Sequence, residues 1–361
     1  MNALADLLRE MIASDGPMPL DRYMGLCLGH PVQGYYVTRD PLGAAGDFIT
    51  SPEISQMFGE LLGLWCAEQW HAIGSPHRLR LVELGPGRGT LMSDLLRAAR
   101  VVPEFFNSLD VHLVEMSPVL MKLQQERLAS SGIQATWHRE IATLPEGPAI
   151  FIANEFFDAL PVRHYVQTPV GWRERLVGTD PQGRFVFTLA NEPERAMTRP
   201  AAQGTVLELA LTSQQVMGEI ASRLTRQGGA ALIIDYGYGK TAFGETLQAI
   251  KAHQFVSPLE DPGEADLTVH VDFAALKTSA QAAGALVFGP LTQGDFLNRL
   301  GIHQRAASLS RNATEQQAQN IQIACDRLTA TGEREMGTLF KVIAVTQPGL
   351  AAPAGFEEDQ P

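Results

Sequence analysis

The chain of 361 residues is 45% hydrophobic and 19% charged, which is typical of a globular protein with one large domain or two smaller ones. Its formal net charge of −12 disfavours a general nucleic-acid-binding protein, but leaves a basic protein segment open as a partner. The cysteines Cys27, Cys66 and Cys325 are far apart and form no C-x-x-C pair, which indicates a reducing compartment. Neither they nor the nine histidines have metal-ligand spacing, so no metal site is predicted.

The N-terminal residues 1–14 predict a helix, because apolar side chains recur at helical spacing. This stretch has neither the basic start and long apolar core of a signal peptide nor the arginine content of a transit peptide. No other segment approaches the roughly 20 apolar residues that a membrane helix needs. The sequence therefore predicts a cytoplasmic protein without a membrane span.

Residues 1–76 are predicted to form an N-terminal helical cap on the core that follows. After a helix over 20–28, Ser51 is a good N-cap and Pro52 suits the first helical position. A helix is therefore predicted from Ser51 to about Ile73, with an apolar face that can pack against the core.

The polar residues around the start of this helix predict a second role for it. Asp47, Ser51 and Glu53 are expected to form a wall over a binding site and to contact the substrate there. The alternative is ordinary capping chemistry, in which Ser51 does no more than begin the helix.

A glycine-rich stretch organises the rest of the chain. The apolar run 79–84 predicts a buried parallel strand, and a helical pattern begins at Thr90. Between them three glycines occupy alternate positions, namely Gly85, Gly87 and Gly89. A doubly wound α/β sheet presents a nucleotide site in this order, because glycines let the backbone approach the ligand and the helix N-terminus offers free N–H groups.

The spacing of these glycines favours one class of ligand. A dinucleotide fingerprint requires G-x-G-x-x-G, whereas Thr90 occupies the position of its third glycine here. Glu83 lies two residues before the first glycine, and this pattern suits a ligand with an amine and no phosphate, such as S-adenosyl-L-methionine. The predicted cofactor contacts are Glu83, Gly85, Gly87, Gly89 and Thr90. The alternative is a glycine-rich turn that binds no nucleotide.

Two further strands add predicted contacts for a nucleoside. The run 110–115 predicts the second strand, and its acidic end, Glu115, lies 26 residues beyond the last glycine. That separation is close to the ~20 residues expected before a ribose-binding carboxylate. A short third strand over 135–138 precedes Glu140 and Ile141, which are candidates to cover an adenine.

Polar residues follow two central strands. The continuous apolar run 149–153 predicts a buried strand, and Asn154, Glu155 and Asp158 come directly after it. Because ligands bind at the carboxyl ends of such strands, these three are the candidate catalytic residues, and Asn154 is also a candidate cofactor contact. The alternative is that Asp158 caps a helix and Asn154 holds a turn. Asp235 follows another buried strand and is a candidate substrate contact.

Two insertions are predicted within a core of residues 77–347. An alternating pattern around a Pro-Gln-Gly turn, with the loop after it, predicts a hairpin insertion near 170–205. A second insertion is predicted near 240–310, before the apolar run 336–345, which is predicted to be the closing strand. The tail 348–361 is rich in proline, glycine and alanine and then acidic, so it is predicted to be disordered.

Several stretches together resemble one family. They are 46–55 (GDFITSPEIS), 83–90 (ELGPGRGT), 154–161 (NEFFDALP), 235–237 (DYG) and, near the end, Met-Gly at 336–337 with Phe-Lys-Val at 340–342. With these stretches the chain resembles the MidA-type class I S-adenosyl-L-methionine-dependent methyltransferases, a family that includes the mitochondrial assembly factor of respiratory complex I. The glycine motif is common to many methyltransferases, whereas the first and third stretches are much more specific.

The resemblance implies a fold, a cofactor and a substrate. It implies a seven-stranded mixed, Rossmann-like α/β sheet with a final antiparallel hairpin, and S-adenosyl-L-methionine as methyl donor. It also implies symmetric dimethylation of an arginine in the 49-kDa-type subunit of respiratory complex I, in support of its assembly. For that substrate Glu155 and Asp158 are expected to clamp the guanidinium, with Glu53 and Asp47 contributing from the cap.

Two other functions stay open at this point. One is methylation of a small molecule or nucleic acid, although residues 154–157 lack the two prolines of the N-P-P-Y strand end that favours methylation of a base nitrogen. The other is a binding or assembly protein that holds the cofactor without turnover. Release of S-adenosyl-L-homocysteine distinguishes an enzyme from such a binding protein.

Overall fold

The computed structural model describes residues 2–38 and 50–357. Its helices are α1 (Ala3–Asp15), α2 (Leu20–Gly29), α3 (Tyr35–Thr38), α4 (Ser51–Ile54), α5 (Gln56–Ala72), α6 (Thr90–Ala99), α7 (Pro103–Ser108), α8 (Pro118–Leu128), α9 (Leu211–Gln227), α10 (Phe273–Ala282), α11 (Gln293–Arg299), α12 (Ile302–Ser310), α13 (Glu315–Thr329) and α14 (Met336–Leu339). A 3₁₀ turn covers Ile141–Thr143. Its strands are β1 (Met18–Pro19), β2 (Leu79–Leu84), β3 (Leu109–Val114), β4 (Thr136–His138), β5 (Ala149–Asn154), β6 (Arg163–Thr168), β7 (Gly171–Thr179), β8 (Phe185–Leu189), β9 (Val206–Leu209), β10 (Gly229–Tyr238), β11 (Gln248–Lys251), β12 (Gln254–Val256), β13 (Asp266–Thr268), β14 (Val271–Asp272), β15 (Leu286–Thr292) and β16 (Phe340–Thr346).

The chain divides into two compact units. The unit that we call the sheet unit consists of Ile49–Phe157, Val216–Gly239 and Asp272–Pro361. The unit that we call the insert unit consists of Met1–Phe48, Asp158–Gln215 and Lys240–Val271.

The sheet unit contains a large mixed sheet. Its strands follow the order β15-β16-β10-β5-β2-β3-β4, and the short β14 also pairs with β10. The neighbours from β10 to β4 are parallel, whereas β16 is antiparallel to β10 and β15 is antiparallel to β16. This arrangement confirms the predicted seven-stranded α/β sheet with a final antiparallel hairpin.

Helices α5 and α6 pack closely against each other beside the buried central strands. The central strands β2 and β5 are buried along almost their whole length, which explains their continuous apolar sequences. A Cβ on Gly59 of α5 would lie 2.6 Å from Cβ of Asp94 on α6. One on Gly63 would lie 2.7 Å from the carbonyl oxygen of Leu95. Only glycine permits this approach, so α5 packs directly against α6, the helix that follows the turn.

The insert unit is built from antiparallel strands, the helices α1, α2 and α3, and the first residues of α9. One of its sheets has the order β1-β7-β6-β9, with β8 also paired to β7, and the other has the order β12-β11-β13. Strands β7 and β8 form the predicted hairpin. The core of the insert unit contains buried side chains of α1 and α2, such as Leu8 and Tyr23, together with Val177 of β7.

The two units divide the chain differently from the predicted segments. The predicted cap, 1–76, contributes residues to both units. Of the predicted insertion 240–310, only the part up to Val271 belongs to the insert unit. The residues after Val271 belong to the sheet unit, where they form α10 and also β15, which pairs with β16 in the large sheet. Strand β15 is only partly buried along its length, and its sequence therefore lacks the continuous apolar run that marks the central strands.

The predicted helix from Ser51 to about Ile73 is interrupted. Ser55 has an extended backbone (φ −160°), which separates α4 from α5, and its side chain accepts a hydrogen bond from the N–H of Met57. The N-cap of α4 is Thr50, so the assignment of Ser51 as N-cap is wrong by one residue. Pro52 lies in the first turn of α4, as expected.

The C-terminal segment differs from its prediction at two points. The closing strand β16 begins at Phe340, because Met336–Leu339 form the short helix α14. Residues up to 357 of the tail are described, and Phe356 is buried with its ring centroid 5.3 Å from that of Phe296. The prediction of disorder therefore fails for this part, since composition does not reveal a single aromatic anchor.

Candidate active site

The glycine turn adopts a backbone that ordinary residues avoid. Gly85, Gly87 and Gly89 have φ angles of +61°, +53° and +76°, and α6 begins at the next residue, Thr90. A Cβ on Gly85 would lie 3.0 Å from the ring of Phe156. The turn is therefore a glycine cradle at the end of β2, as the sequence predicts.

Glu83 places a buried carboxylate beside this cradle. Its side chain is 3% exposed, and its Oε2 atom has no hydrogen-bond partner among the described residues. Burial and the nearby Glu115 raise the pKa of Glu83 to about 8, although the backbone N–H of Met92 donates to the carboxylate. A buried acceptor of this kind fits the cationic amine of an amino acid, which would stabilise the ionised carboxylate.

Glu115 is oriented by a network of hydrogen bonds immediately after β3. Its Oε1 accepts from the backbone N–H groups of Met116 and Ser117, each at 2.8 Å. Gln124 donates from Nε2 to Oε2 of Glu115 at 3.0 Å and to the carbonyl oxygen of Gly87 at 2.7 Å. Burial raises the pKa of Glu115, and these donors oppose the shift. The network joins the predicted ribose carboxylate to the glycine turn.

Gln124 is a site residue that the sequence analysis missed. Its amide oxygen accepts from Nε1 of Trp137 at 2.8 Å, so both ends of the side chain are used. A signal for it exists in the sequence. Gln124 lies four residues from both Leu120 and Leu128, which with it are the buried residues of α8. A polar side chain on the buried face of a helix requires hydrogen-bond partners. Here the partners are Glu115, the carbonyl oxygen of Gly87 and Trp137.

The predicted adenine contacts follow β4. The carbonyl oxygen of His138 accepts from the N–H of Glu115, so the end of β4 lies beside the Glu115 network. Glu140 is exposed and precedes the 3₁₀ turn, whereas Ile141 is buried within it. Contact of Glu140 and Ile141 with an adenine stays a prediction.

Glu155 stands at the carboxyl end of β5 in a strained conformation. Its φ of +50° lies in the left-handed region, which is uncommon for a residue with a side chain. Its Oε1 accepts from the N–H of Ser51 at 3.0 Å and from Nδ2 of Asn154 at 3.1 Å. The Oδ1 atom of Asn154 is buried and has no hydrogen-bond partner in the described part of the chain. Strain of this kind persists where the surroundings hold it and is frequent at active sites.

The cap residues predicted to contact substrate have different surroundings. Ser51 is fully buried, and its hydroxyl donates to Oε1 of Gln293 at 3.3 Å. Glu53 accepts a hydrogen bond from the hydroxyl of Thr90, so it lies at the N-terminus of α6. Asp47 lies outside the described residues. Contact of these side chains with substrate stays a prediction.

Asp235 supports the turn that follows β5. It is fully buried, and its Oδ2 accepts from the backbone N–H groups of Phe156 and Phe157 at 3.2 and 3.0 Å. Its Oδ1 accepts from the N–H of Tyr236 at 2.9 Å. These contacts give Asp235 a structural role next to Glu155, and its predicted substrate contact stays a prediction.

Asp158 belongs to the insert unit. It is 6% exposed, its carbonyl oxygen accepts from the N–H of Val269 at 3.0 Å, and the described residues directly after it form turns and then β6, not a helix. The alternative role as a helix cap is therefore wrong. Near it, Tyr36 donates to Oδ1 of Asp266 at 2.8 Å. Burial, followed by the charges of Asp266 and Asp158, raises the pKa of Tyr36. The predicted catalytic role of Asp158 stays a prediction.

Comparisons with known proteins agree on one family. A family model described as "Putative S-adenosyl-L-methionine-dependent methyltransferase" matches residues 61–291. The Drosophila melanogaster "Protein arginine methyltransferase NDUFAF7 homolog, mitochondrial" is 39% identical over 97% of this chain and 86% of its own length. The human "Protein arginine methyltransferase NDUFAF7, mitochondrial" is 38% identical over 87% of this chain and 77% of its own length.

A solved structure extends the likeness to three dimensions. A crystal structure from Burkholderia thailandensis, bound to S-adenosyl-homocysteine, matches with a TM-score of 0.82. It is 30% identical and covers 99% of this chain and 93% of that chain.

The comparisons correct one prediction. The Drosophila and human relatives are named as mitochondrial proteins, so the prediction of a cytoplasmic protein is wrong. Across residues 2–38 and 50–357, none of the helices combines the length and the apolar character needed to cross a membrane.

The glycine cradle, the two buried carboxylates beside it and the likeness over nearly the whole chain lead to one conclusion. The order of the sheet and the position of Glu115 after β3 agree with it. This chain belongs to the family of S-adenosyl-L-methionine-dependent methyltransferases that contains the NDUFAF7 proteins.

Proposed function

We propose that this chain is a protein arginine methyltransferase that forms symmetric dimethylarginine, and that its substrate is the 49-kDa-type subunit of respiratory complex I. The relatives named as protein arginine methyltransferases support the reaction. The observation that carries the proposal is the carboxylate of Glu155, held at the strand end by two donors and a strained backbone.

The cofactor end of the site is formed by local elements. Glu83 would accept from the amine of the methionine part, and Glu115 would accept from the ribose hydroxyls. The cradle of Gly85, Gly87 and Gly89 lets the ligand approach the backbone. When bound, S-adenosyl-L-methionine supplies an electrophilic methyl group on a sulfonium centre. The buried Oε2 of Glu83 and Oδ1 of Asn154, both without a partner in the described ranges, support this fit.

The substrate end needs a carboxylate because arginine is almost always protonated. A guanidinium is a planar fork of donors, and a carboxylate accepts from two of them at once. Glu155 would orient one nitrogen and draw positive charge away from it. That nitrogen forms a bond to the methyl carbon while the methyl–sulfur bond breaks, and its proton leaves to a carboxylate or to water. The site contributes mainly through position.

The test uses the purified 49-kDa-type subunit and mass spectrometry of its arginines. Wild-type protein is expected to add about 28 Da to one arginine, because each of two methyl groups replaces a hydrogen atom, with fragment ions of the symmetric form. Glu155→Gln is expected to lower turnover about 100-fold, a typical contribution of a positioned carboxylate, without changing cofactor affinity. Asp158→Asn tests the second predicted carboxylate in the same assay. Glu219→Gln, on the exposed side of α9, is the matched control.

Three results would contradict the proposal or its assignment of Glu155. Release of S-adenosyl-L-homocysteine without a modified arginine would indicate another acceptor. Cofactor binding without release of that product would indicate an assembly protein that holds the ligand and performs no turnover. Near-normal turnover of Glu155→Gln would remove this residue from the guanidinium clamp.

A further inference from the structure

A buried glutamine connects the C-terminal helices to Glu155. Gln293, the first residue of α11, is fully buried and uses both ends of its amide. Its Nε2 donates to the carbonyl oxygen of Leu328 at 3.0 Å, and its Oε1 accepts from the hydroxyl of Ser51 at 3.3 Å. The N–H of Ser51 in turn donates to Oε1 of Glu155 at 3.0 Å. Four residues far apart in sequence thus form one hydrogen-bonded series within the sheet unit.

The helix in the middle of this series needs external support. Helix α4 has four residues, and so short a helix is not stable alone. Ser51 is its first residue, and N–H groups in the first turn have no partner within their helix, so this N–H is available to Glu155. The direction of the N–H is therefore set by side chains. One contact is from Ser51 to Gln293, and another is from Thr90 to Glu53.

The other end of the series rests on tightly packed helices. A Cβ on Gly337 of α14 would lie 2.5 Å from the carbonyl oxygen of Ala330, just after α13. A Cβ on Gly294, the neighbour of Gln293, would lie 3.0 Å from the carbonyl oxygen of Thr329. Only glycine fits at Gly337, which accounts for the Met-Gly pair singled out in the sequence. Helix α13 also contacts α4.

We propose that Gln293 is a positioning residue for Glu155 and acts through Ser51. It fixes Ser51 so that the N–H of Ser51 holds the carboxylate while the backbone of Glu155 stays in the left-handed region. A strained backbone of this kind persists only where several contacts determine it together. The inference rests on the proposed role of Glu155, and it assigns to α11 a function in the reaction.

The experiment is a double-mutant cycle. Gln293→Met preserves shape and removes both hydrogen bonds, and Ser51→Ala removes only the hydroxyl and keeps the N–H. Each is expected to lower kcat about tenfold, the effect of one hydrogen bond, with KM for the methyl donor unchanged. The double variant is expected to lose no more than Gln293→Met alone, because Ser51→Ala breaks a contact that Gln293→Met has already broken. Gln69→Met is the matched control, since Gln69 is also buried in the sheet unit, where it donates to Glu68.

Hydrogen exchange gives a second readout that does not depend on turnover. The backbone N–H groups of residues 50, 51 and 53–55 are expected to exchange faster in Gln293→Met and in Ser51→Ala than in wild type, and at the wild-type rate in Gln69→Met. Exchange at the wild-type rate in both test variants, or losses in kcat that multiply in the double variant, would overturn the inference. A wild-type protein that modifies no arginine would instead refute the proposed function, and the exchange result would still decide the role of Gln293.

Discussion

Two carboxylates of the sheet unit are held in opposite ways. Glu115 accepts from the N–H groups of Met116 and Ser117 and from Gln124, all within nine residues along the chain. Glu155 accepts from its neighbour Asn154 and from Ser51, which is 104 residues away and is itself bonded to Gln293, 242 residues beyond it. The predicted cofactor end of the site, at Glu115, is therefore formed locally, whereas the part of the site at Glu155 depends on the completed fold.

The largest expected effect comes from a substitution in the locally formed part of the site, the glycine cradle. Gly87→Val places a β-branched side chain where φ is +53°, which such a residue does not adopt without strain. Cofactor affinity is expected to fall more than 100-fold, or by more than about 3 kcal/mol, because the cradle cannot keep its shape. Titration calorimetry with S-adenosyl-L-homocysteine measures this.

The control for that variant isolates backbone strain from the site. Gly204→Val makes the same change at φ +86° on an exposed loop of the insert unit, where a Cβ would meet no atom within 4 Å. It is expected to lower stability without changing affinity. Equal affinity losses in both variants would mean that Gly87 matters only for folding.

The next effect tests whether Glu115 belongs to the cofactor end alone. Glu115→Gln preserves shape and removes the charge that accepts hydroxyl donors. Affinity for S-adenosyl-L-homocysteine is expected to fall about 10- to 100-fold, which corresponds to the ~1.5–3 kcal/mol of a hydrogen bond to a charged group. Turnover at saturating cofactor is expected to stay near that of wild type. A loss in kcat at unchanged affinity would instead give Glu115 a role in the reaction that we propose for Glu155. Glu104→Gln, exposed on α7, is the control.

A third test uses pH. The pKa of Glu83 is raised from 4.5 to about 8 by burial and by Glu115, so between these values the folded protein holds a proton that the unfolded chain has lost. Stability is therefore expected to fall as pH rises from 6 to 8, by up to about 2 kcal/mol. Urea unfolding across this range measures the slope. Glu83→Gln, which stays neutral, is expected to flatten it, and an unchanged slope would assign the titration to another group.

The same contrast explains what the sequence reveals. The positions of the glycine cradle, Glu83 and Glu115 in the fold were predictable, because each lies within or next to one strand–turn–helix segment and depends on local spacing. Their contacts with the cofactor stay predictions. The location of Glu155 at the end of a buried strand was predictable, but its left-handed backbone was not.

Long-range partners explain what the sequence did not reveal. Neither spacing nor composition brings Gln293 to Ser51, because that contact requires α11 and α4 to meet in the folded sheet unit. The same holds for Phe356, which is anchored by Phe296 although the tail around it has a disordered composition. The break in the cap helix was also missed, since Ser55 lies within an otherwise helical pattern. In each case the structure depends on a contact with a distant part of the chain or on the backbone torsion angle of a single residue.

The smallest expected effect concerns that break. Ser55 caps α5 through the N–H of Met57 at 3.2 Å, and Ser55→Ala removes this bond while Ser51 keeps its contacts with Gln293 and Glu155. Stability is expected to fall by about 1 kcal/mol, as for other N-cap serines, with kcat and cofactor affinity near wild type. Thermal unfolding and steady-state kinetics measure both. A large loss of kcat would mean that the cap of α5, and not the contact from Gln293, holds α4 against Glu155. The position of Glu155 would then depend on local structure as well.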